Sequence, residues 1–249
     1  MNKLNYLLQW ADNSLILGHR LGEWCGHGPV LEQDIALTNI ALDLIGEARN
    51  IYQYAAEIEG SGKDEDYYPY MRKEREFRNT LLVEHSNVDF AYTIIRQFLF
   101  DTYHYFQLKV LSQQTLDPRI RSIAAKSFKE VSYHLEFSSD WVKRLGDGTH
   151  ISHQKIQQAL DDLWEYGQEF FISNDTDDWA KNSGLDVDLE TMKSKVNNLR
   201  VAIIEEATLN IPDTQYFKDG GKEGLHTEQL GYILTDMQYL QRTYPGASW

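Results

Sequence analysis

The chain has 249 residues, a formal net charge of −14, 42% hydrophobic and 25% charged residues, and a single cysteine. An acidic balance withholds the positive surface that nucleic acid and anionic membranes require, and one cysteine excludes an intrachain disulfide and fits a reducing cytoplasm. An aromatic content of 12% and the absence of any apolar run as long as a bilayer is thick exclude a disordered chain and a membrane span.

The periodic segments read as helices. The first runs from about Lys3 to Cys25 and stops near the run Gly26–Pro29; its opening lacks the apolar core and small-residue cleavage site of a signal peptide. The second runs from about Leu31 to Ile58 and stops at Gly60–Gly62. A charged stretch from Lys63 to Arg78 reads as a solvated loop with a short helix. The third helix spans about Asn87 to Gln114. Asp117 followed by Pro118 marks the start of the fourth, which runs to Leu145. A shorter helix is expected over about Ser152–Phe171, then a polar loop from Asn174 to Asp188, then helices near Leu189–Thr208 and Thr227–Thr243. No strand pattern and no short repeat interrupts this order. The expected fold class is all-α: one domain over residues 1–249, with a four-helix bundle core and additional C-terminal helices.

Steps of three and four trace the face each long helix turns to the centre. They give Leu4, Leu7, Ala11, Ser14, Gly18, Leu21 and Cys25 on the first, and Leu37, Ile40, Leu44, Glu47, Ile51 and Tyr54 on the second. The third gives Ile94, Phe98, Asp101, Tyr105 and Leu108; the fourth gives Ile120, Ala124, Ser127, Val131, His134, Ser138, Trp141 and Leu145. Three of these apolar stripes carry an ionisable residue near the middle: Glu47, Asp101 and His134. A buried charge needs a partner or a metal, and one such residue per helix suggests convergence on one interior spot. A second reading stands beside it. An acid on a stripe can turn to solvent, Asp101 can pair with His104, and Glu130 can pair with His134.

A ferritin-like bundle holds two metal ions with one acid on each of two helices and Glu-x-x-His on each of the other two. Here the second helix offers Leu44-x-x-Glu47, the fourth Val131-x-x-His134, and the first only Ser14. Aliphatic groups hold no metal, so the expected site is degenerate at Ser14, Leu44, Glu47, Asp101, Val131 and His134, with no metal, cofactor or catalytic residue assigned to this chain. The alternative is an unconventional mononuclear site built from Glu47, Asp101 and His134 with Glu130 or His104. Phosphate-binding loops are absent, Gly220–Lys222 being a short turn, and a nucleophile pair of Cys25 with His19 or His27 lacks a supporting motif.

The chain also resembles, nearly end to end, the phenylacetyl-CoA epoxidase (ring 1,2-phenylacetyl-CoA epoxidase) family, in its non-catalytic ferritin-like subunit. The resemblance rests on Arg20–His27 (RLGEWCGH), Asn39–Asn50 (NIALDLIGEARN), Lys129–His134 (KEVSYH), Glu206–Pro212 (EATLNIP), Gly220–Glu228 (GGKEGLHTE) and Met237–Gly246 (MQYLQRTYPG). It implies a structural subunit of a multicomponent monooxygenase acting in aerobic phenylacetate breakdown. The implied partner is the catalytic subunit, PaaA, which holds the di-iron centre, and further subunits complete the complex. NADPH, flavin and iron–sulfur chemistry belong to a separate reductase. A second copy of the chain is the alternative partner in isolation.

Trp24, Asp43, Gly46 and Lys129–Glu130 anchor an alignment with that catalytic relative. In it the relative's metal ligands fall on Ser14, Leu44, Glu47, Asp101, Val131 and His134, and only Asp101 and His134 match in type. The segment Gly220–Trp249 is the expected interaction surface, its alternative being a helix packed on its own domain. A helical interaction module unrelated to phenylacetate is the third reading.

Overall fold

The computed structural model describes residues 2–185 and 187–247. Its helices are α1 (Asn2–Gly22), α2 (Leu31–Glu59), α3 (Tyr67–Tyr70), α4 (Phe90–Gln113), α5 (Pro118–Gly146), α6 (His150–Leu163), α7 (Asp175–Asn182), α8 (Leu189–Glu206) and α9 (Glu228–Thr243). No strand occurs among the described residues. The all-α expectation therefore holds, with α1, α2, α4 and α5 as the four long helices.

Local chemistry sets the boundaries. α4 starts at Phe90 rather than at Asn87, because Asp89 lies outside the helix and accepts from the Tyr92 N–H. Asp117 caps α5 by accepting from Arg119 and Ile120, with Pro118 in the first turn. α2 ends where Gly60 adopts φ 63°, the left-handed conformation that costs glycine least. α1 stops three residues short of Cys25, its chain tightening into turns in which Trp24, Cys25 and His27 each donate three residues back. Cys25 is exposed there, and the His27 ring meets the Cys25 carbonyl rather than its thiol.

Two expectations need correction. The helix expected over Ser152–Phe171 ends at Leu163, after which the chain makes turns and a single 3-10 turn, Glu169–Phe171. The polar loop expected from Asn174 contains α7, started by a reciprocal cap between Asn174 and Asp177. The charged stretch from Lys63 is also less solvated than its composition suggests: Tyr68, Arg72 and Phe77 are buried, and Arg72 forms a buried ion pair with Asp12 of α1.

Short connections make α1–α2 and α4–α5 antiparallel hairpins, each with extensive mutual packing, and α2 meets α5 along one edge. α6 and α8 cover α4 and α5 from outside, and α7 covers α1. This second layer explains why α4 is buried almost all round, from Ala91 to Leu111, rather than along one stripe. The fully buried Arg200 of α8 joins the layers, donating to Thr102 Oγ1 and the Leu99 carbonyl of α4 and to the Gly167 carbonyl. Burial pushes its guanidinium down to about 9.

Two buried carboxylates fasten the C-terminal segment inward. Glu169 accepts from the backbone N–H groups of Leu81 (2.6 Å) and Gly221 (2.8 Å). Glu84 takes the Asn79 amide (2.9 Å), the Thr227 N–H (2.8 Å) and the Thr227 hydroxyl (2.6 Å), and faces His226 Nδ1 at 2.6 Å. Gly221 is required by crowding, since a Cβ there would stand 2.3 Å from the Asn79 carbonyl oxygen. The front of the segment expected as an interaction surface, Gly221–Thr227, is thus largely spent on its own domain. α9 rests on α3 and on the turn Glu74–Glu76, while Tyr232 and Tyr239 point outward. Ser248 and Trp249 lie outside the described residues.

Candidate functional site

The four stripes meet as their spacing requires. Ser14, Leu44, Glu47, Asp101, Val131 and His134 are all buried. The ionisable members do not bond to one another, however. Each is taken up by a different neighbour.

One oxygen of Glu47, Oε1, accepts from the Ser14 hydroxyl at 2.7 Å and from the Trp10 indole N–H at 3.0 Å. His104 Nε2 lies 3.0 Å from the same oxygen and 3.3 Å from the Trp10 indole nitrogen. Burial alone raises the Glu47 pKa; the charge and hydrogen bond of His104, with Ser14 and Ser127, more than offset it, so the carboxyl titrates below its usual range. Oε2 of Glu47 has no hydrogen-bond partner among the described residues.

Asp101 is bound within its own hairpin. Gln97, one turn earlier on α4, donates to Oδ1 at 2.6 Å, and the Ser138 hydroxyl of α5 donates to Oδ2 at 2.7 Å. Complete burial pushes its carboxyl up to about 6, against the opposing influence of His134, these two hydrogen bonds and His104. The pairing of Asp101 with His104 is therefore not formed: the His104 ring turns to Glu47 because α1 and α2 bring Trp10 and Glu47 against it.

His134 likewise leaves Glu130. Its Nε2 lies 3.0 Å from Oδ2 of Asp43 on α2, a partly exposed carboxylate at the α2–α5 edge. Glu130 is raised by burial and by the negative charge of Asp43, with Lys126 acting against them. Trp10, Asp43 and Gln97 are the members that stripe reading missed, while His104 was read beside Asp101 and not against Glu47. Trp10 stands one turn before Ser14, Gln97 one turn before Asp101 and His104 just under one turn after it, so helical spacing held a signal for these three. Asp43 sits off the stripe and reaches the centre only through the neighbouring helix.

A pair of metal ions does not fit this donor set. Leu44 and Val131 present hydrocarbon where bridging carboxylates are needed, and the Ser14 hydroxyl is donated to Glu47. Among the described residues no three His, Cys, Asp or Glu side chains form a group able to hold a metal ion. The arrangement is a set of local pairings: a carboxylate saturated on one oxygen, a second carboxylate bridging α4 to α5, and a histidine tied to an edge aspartate. No helix among the described residues is long and apolar enough to cross a membrane.

The profile of the family described as "Phenylacetic acid catabolic protein" matches residues 1–249. The chain is 49% identical over 250 residues to a subunit of the 1,2-phenylacetyl-CoA epoxidase of Escherichia coli (strain K12), with 100% of both chains covered.

Proposed function

The chain belongs to the phenylacetic acid catabolic protein family, and from that premise we propose that it is a non-catalytic structural subunit of a phenylacetyl-CoA 1,2-epoxidase, paired with the di-iron catalytic subunit. The observation that carries this reading is the pair of buried aliphatic residues, Leu44 and Val131, at the positions where a metal-binding bundle of this architecture carries glutamates. The residual acids are occupied by neighbours from the same chain, so the interior is organised for packing. The di-iron centre, and the NADPH, flavin and iron–sulfur groups that feed it electrons, then reside in other components. The role left to this chain is to hold the catalytic bundle in working geometry.

Co-expression with the catalytic subunit followed by size exclusion tests the proposal. The expected result is a stable complex, and separate elution at micromolar concentrations would refute it. The alternative reading is a mononuclear metal site: Glu47 Oε2, His104 Nδ1 and His134 Nδ1 are buried and lack partners among the described residues, although these residues do not gather into one group able to hold an ion. Metal analysis of the purified chain separates the two, since stoichiometric iron or manganese would support the second.

A further inference from the structure

A strap from Gly220 to Thr227 leads the chain into α9, and a buried ionisable pair holds its far end. His226 and Glu84 are fully buried, with His226 Nδ1 2.6 Å from Glu84 Oε1. On its other side the ring sets Nε2 3.1 Å from the Phe77 carbonyl oxygen. A carbonyl only accepts, so Nε2 carries a proton. A second proton lies between Nδ1 and the carboxylate. Glu84 already accepts from the Asn79 amide, the Thr227 N–H and the Thr227 hydroxyl, and three donors favour the ionised carboxylate. The ring therefore holds both protons, opposite a buried carboxylate. The charged groups packed around the pair have other partners. Arg20 of α1 donates to the Glu84 carbonyl and pairs with Glu23. Arg78 donates to the Arg75 and Phe77 carbonyls. His85, next to Glu84, is pushed down to about 4 by burial and by Arg96 and Arg20, so it is neutral. At the near end of the strap Lys222 pairs with Asp177, and burial pushes the Glu169 carboxyl up to about 7. Glu223 and Glu228 are exposed.

We propose that the His226–Glu84 pair is a proton-operated clasp, and that the strap and α9 come away from the bundle as one unit when the ring gives up a proton. Loss of that proton leaves the Glu84 carboxylate buried without its countercharge. It also turns a ring lone pair towards an oxygen that has none to give it, an unmade buried hydrogen bond. Opening the strap hydrates both groups and removes both penalties. The clasp adjoins what it releases: Thr227, bound to Glu84 through its N–H and its hydroxyl, directly precedes Glu228, the first residue of α9. The other end can pivot, because Gly220 holds φ 117° and residues 210–219 before it belong to no helix. α9 itself buries Leu230, Ile233 and Leu234 and is tied by Gln238 to the Pro69 and Arg72 carbonyls. Opening exposes those three apolar side chains reversibly, as a local unfolding unit. The direction follows from the proton count: the strap is closed while the ring holds both protons and opens as pH rises. Ionisation of Glu169 acts in the same direction, since water favours its charged form.

The test titrates the full chain from about pH 6 to about pH 9. Long-range nitrogen–proton NMR reads the protonation of the His226 ring, identified by its disappearance in His226→Gln. Hydrogen exchange, corrected for the intrinsic rate at each pH, reads protection in residues 220–243. The expected result is one midpoint for both, with protection falling about tenfold or more across it while residues 94–101 of α4 stay protected. His226→Gln has no proton to lose there, so the fall that remains, from Glu169, is smaller than in the wild type by about tenfold. A ring that is neutral while the strap is protected would overturn the proposal. So would a ring that titrates with protection unchanged, or equal falls in variant and wild type. If the variant leaves the strap unprotected at every pH, the wild-type midpoints decide: coincidence supports the clasp and separation refutes it.

Discussion

Asp101→Asn tests whether the interior is built for packing or for charge. The Asp101 carboxyl titrates near 6 in the folded chain because burial disfavours its ionised form; in the unfolded chain it titrates near 4. Below about pH 4 it is protonated in both states and imposes no penalty. Between about 4 and 6 the unfolded chain releases the proton first, so stability falls as pH rises; above about 6 the penalty is constant. A displacement of about two pK units corresponds to roughly 3 kcal/mol. Asparagine keeps both contacts, its oxygen accepting from Gln97 and its amide donating to the Ser138 hydroxyl, which replace the 2.6 and 2.7 Å bonds. These neutral bonds are weaker than those to a carboxylate, so the net gain at pH 7.5 is about 1–2 kcal/mol and vanishes near pH 4. Urea denaturation followed by tryptophan fluorescence at both pH values measures it as a shift in midpoint. Equal loss of stability at both pH values would refute the reasoning, because the charge would then be worth more to the fold than its burial costs.

Asp12→Ala removes the carboxylate that Arg72, the Tyr52 hydroxyl and the Arg78 N–H share. Leaving that guanidinium buried and unpaired costs about 3–5 kcal/mol, readable in the urea midpoint, and a loss under 1 kcal/mol would contradict the pairing. Gly221→Ala drives a methyl group to 2.3 Å from the Asn79 carbonyl oxygen and 3.0 Å from the Leu81 nitrogen. Overpacking there costs about 1–3 kcal/mol, and hydrogen exchange is expected to rise in residues 79–84 and 220–227 together, because Glu169 binds both segments; unchanged exchange in either would separate them.

The four stripes were legible because helical period and burial are properties of one segment at a time. Every residue placed inside between Leu7 and Leu21, Leu37 and Ile51, Ile94 and Asp101, or Ile120 and Ser138 is buried. What the sequence did not disclose depends on the rotation of one helix against another. His104 had Asp101 within reach on its own helix and Glu47 on another; the Trp10 indole and the Glu47 oxygen decided between them. His134 chose Asp43 over Glu130 for the same reason. The pairing of Asp12 with Arg72 spans 60 residues and leaves no trace in local spacing. α7 escaped notice because its eight residues are acidic, with only Trp179 and Ala180 apolar, although the Asn174–Asp177 cap was there to be read.

These pairings explain how a bundle whose interior suits no metal pair keeps its shape. In a metal-holding relative of this architecture the cations offset the mutual repulsion of converging carboxylates. Here the same depth holds two carboxylates in separate settings. Glu47 gathers Trp10, Ser14 and His104 onto one oxygen from α1 and α4. Asp101 draws two from α4 and α5. Leu44 and Val131 remove the charges that would have demanded more. Every one of the four long helices is thereby cross-linked through the centre, α2 to α1 and α4 by Glu47, α4 to α5 by Asp101, and α5 to α2 by His134 and Asp43. The last link is the one closest to solvent.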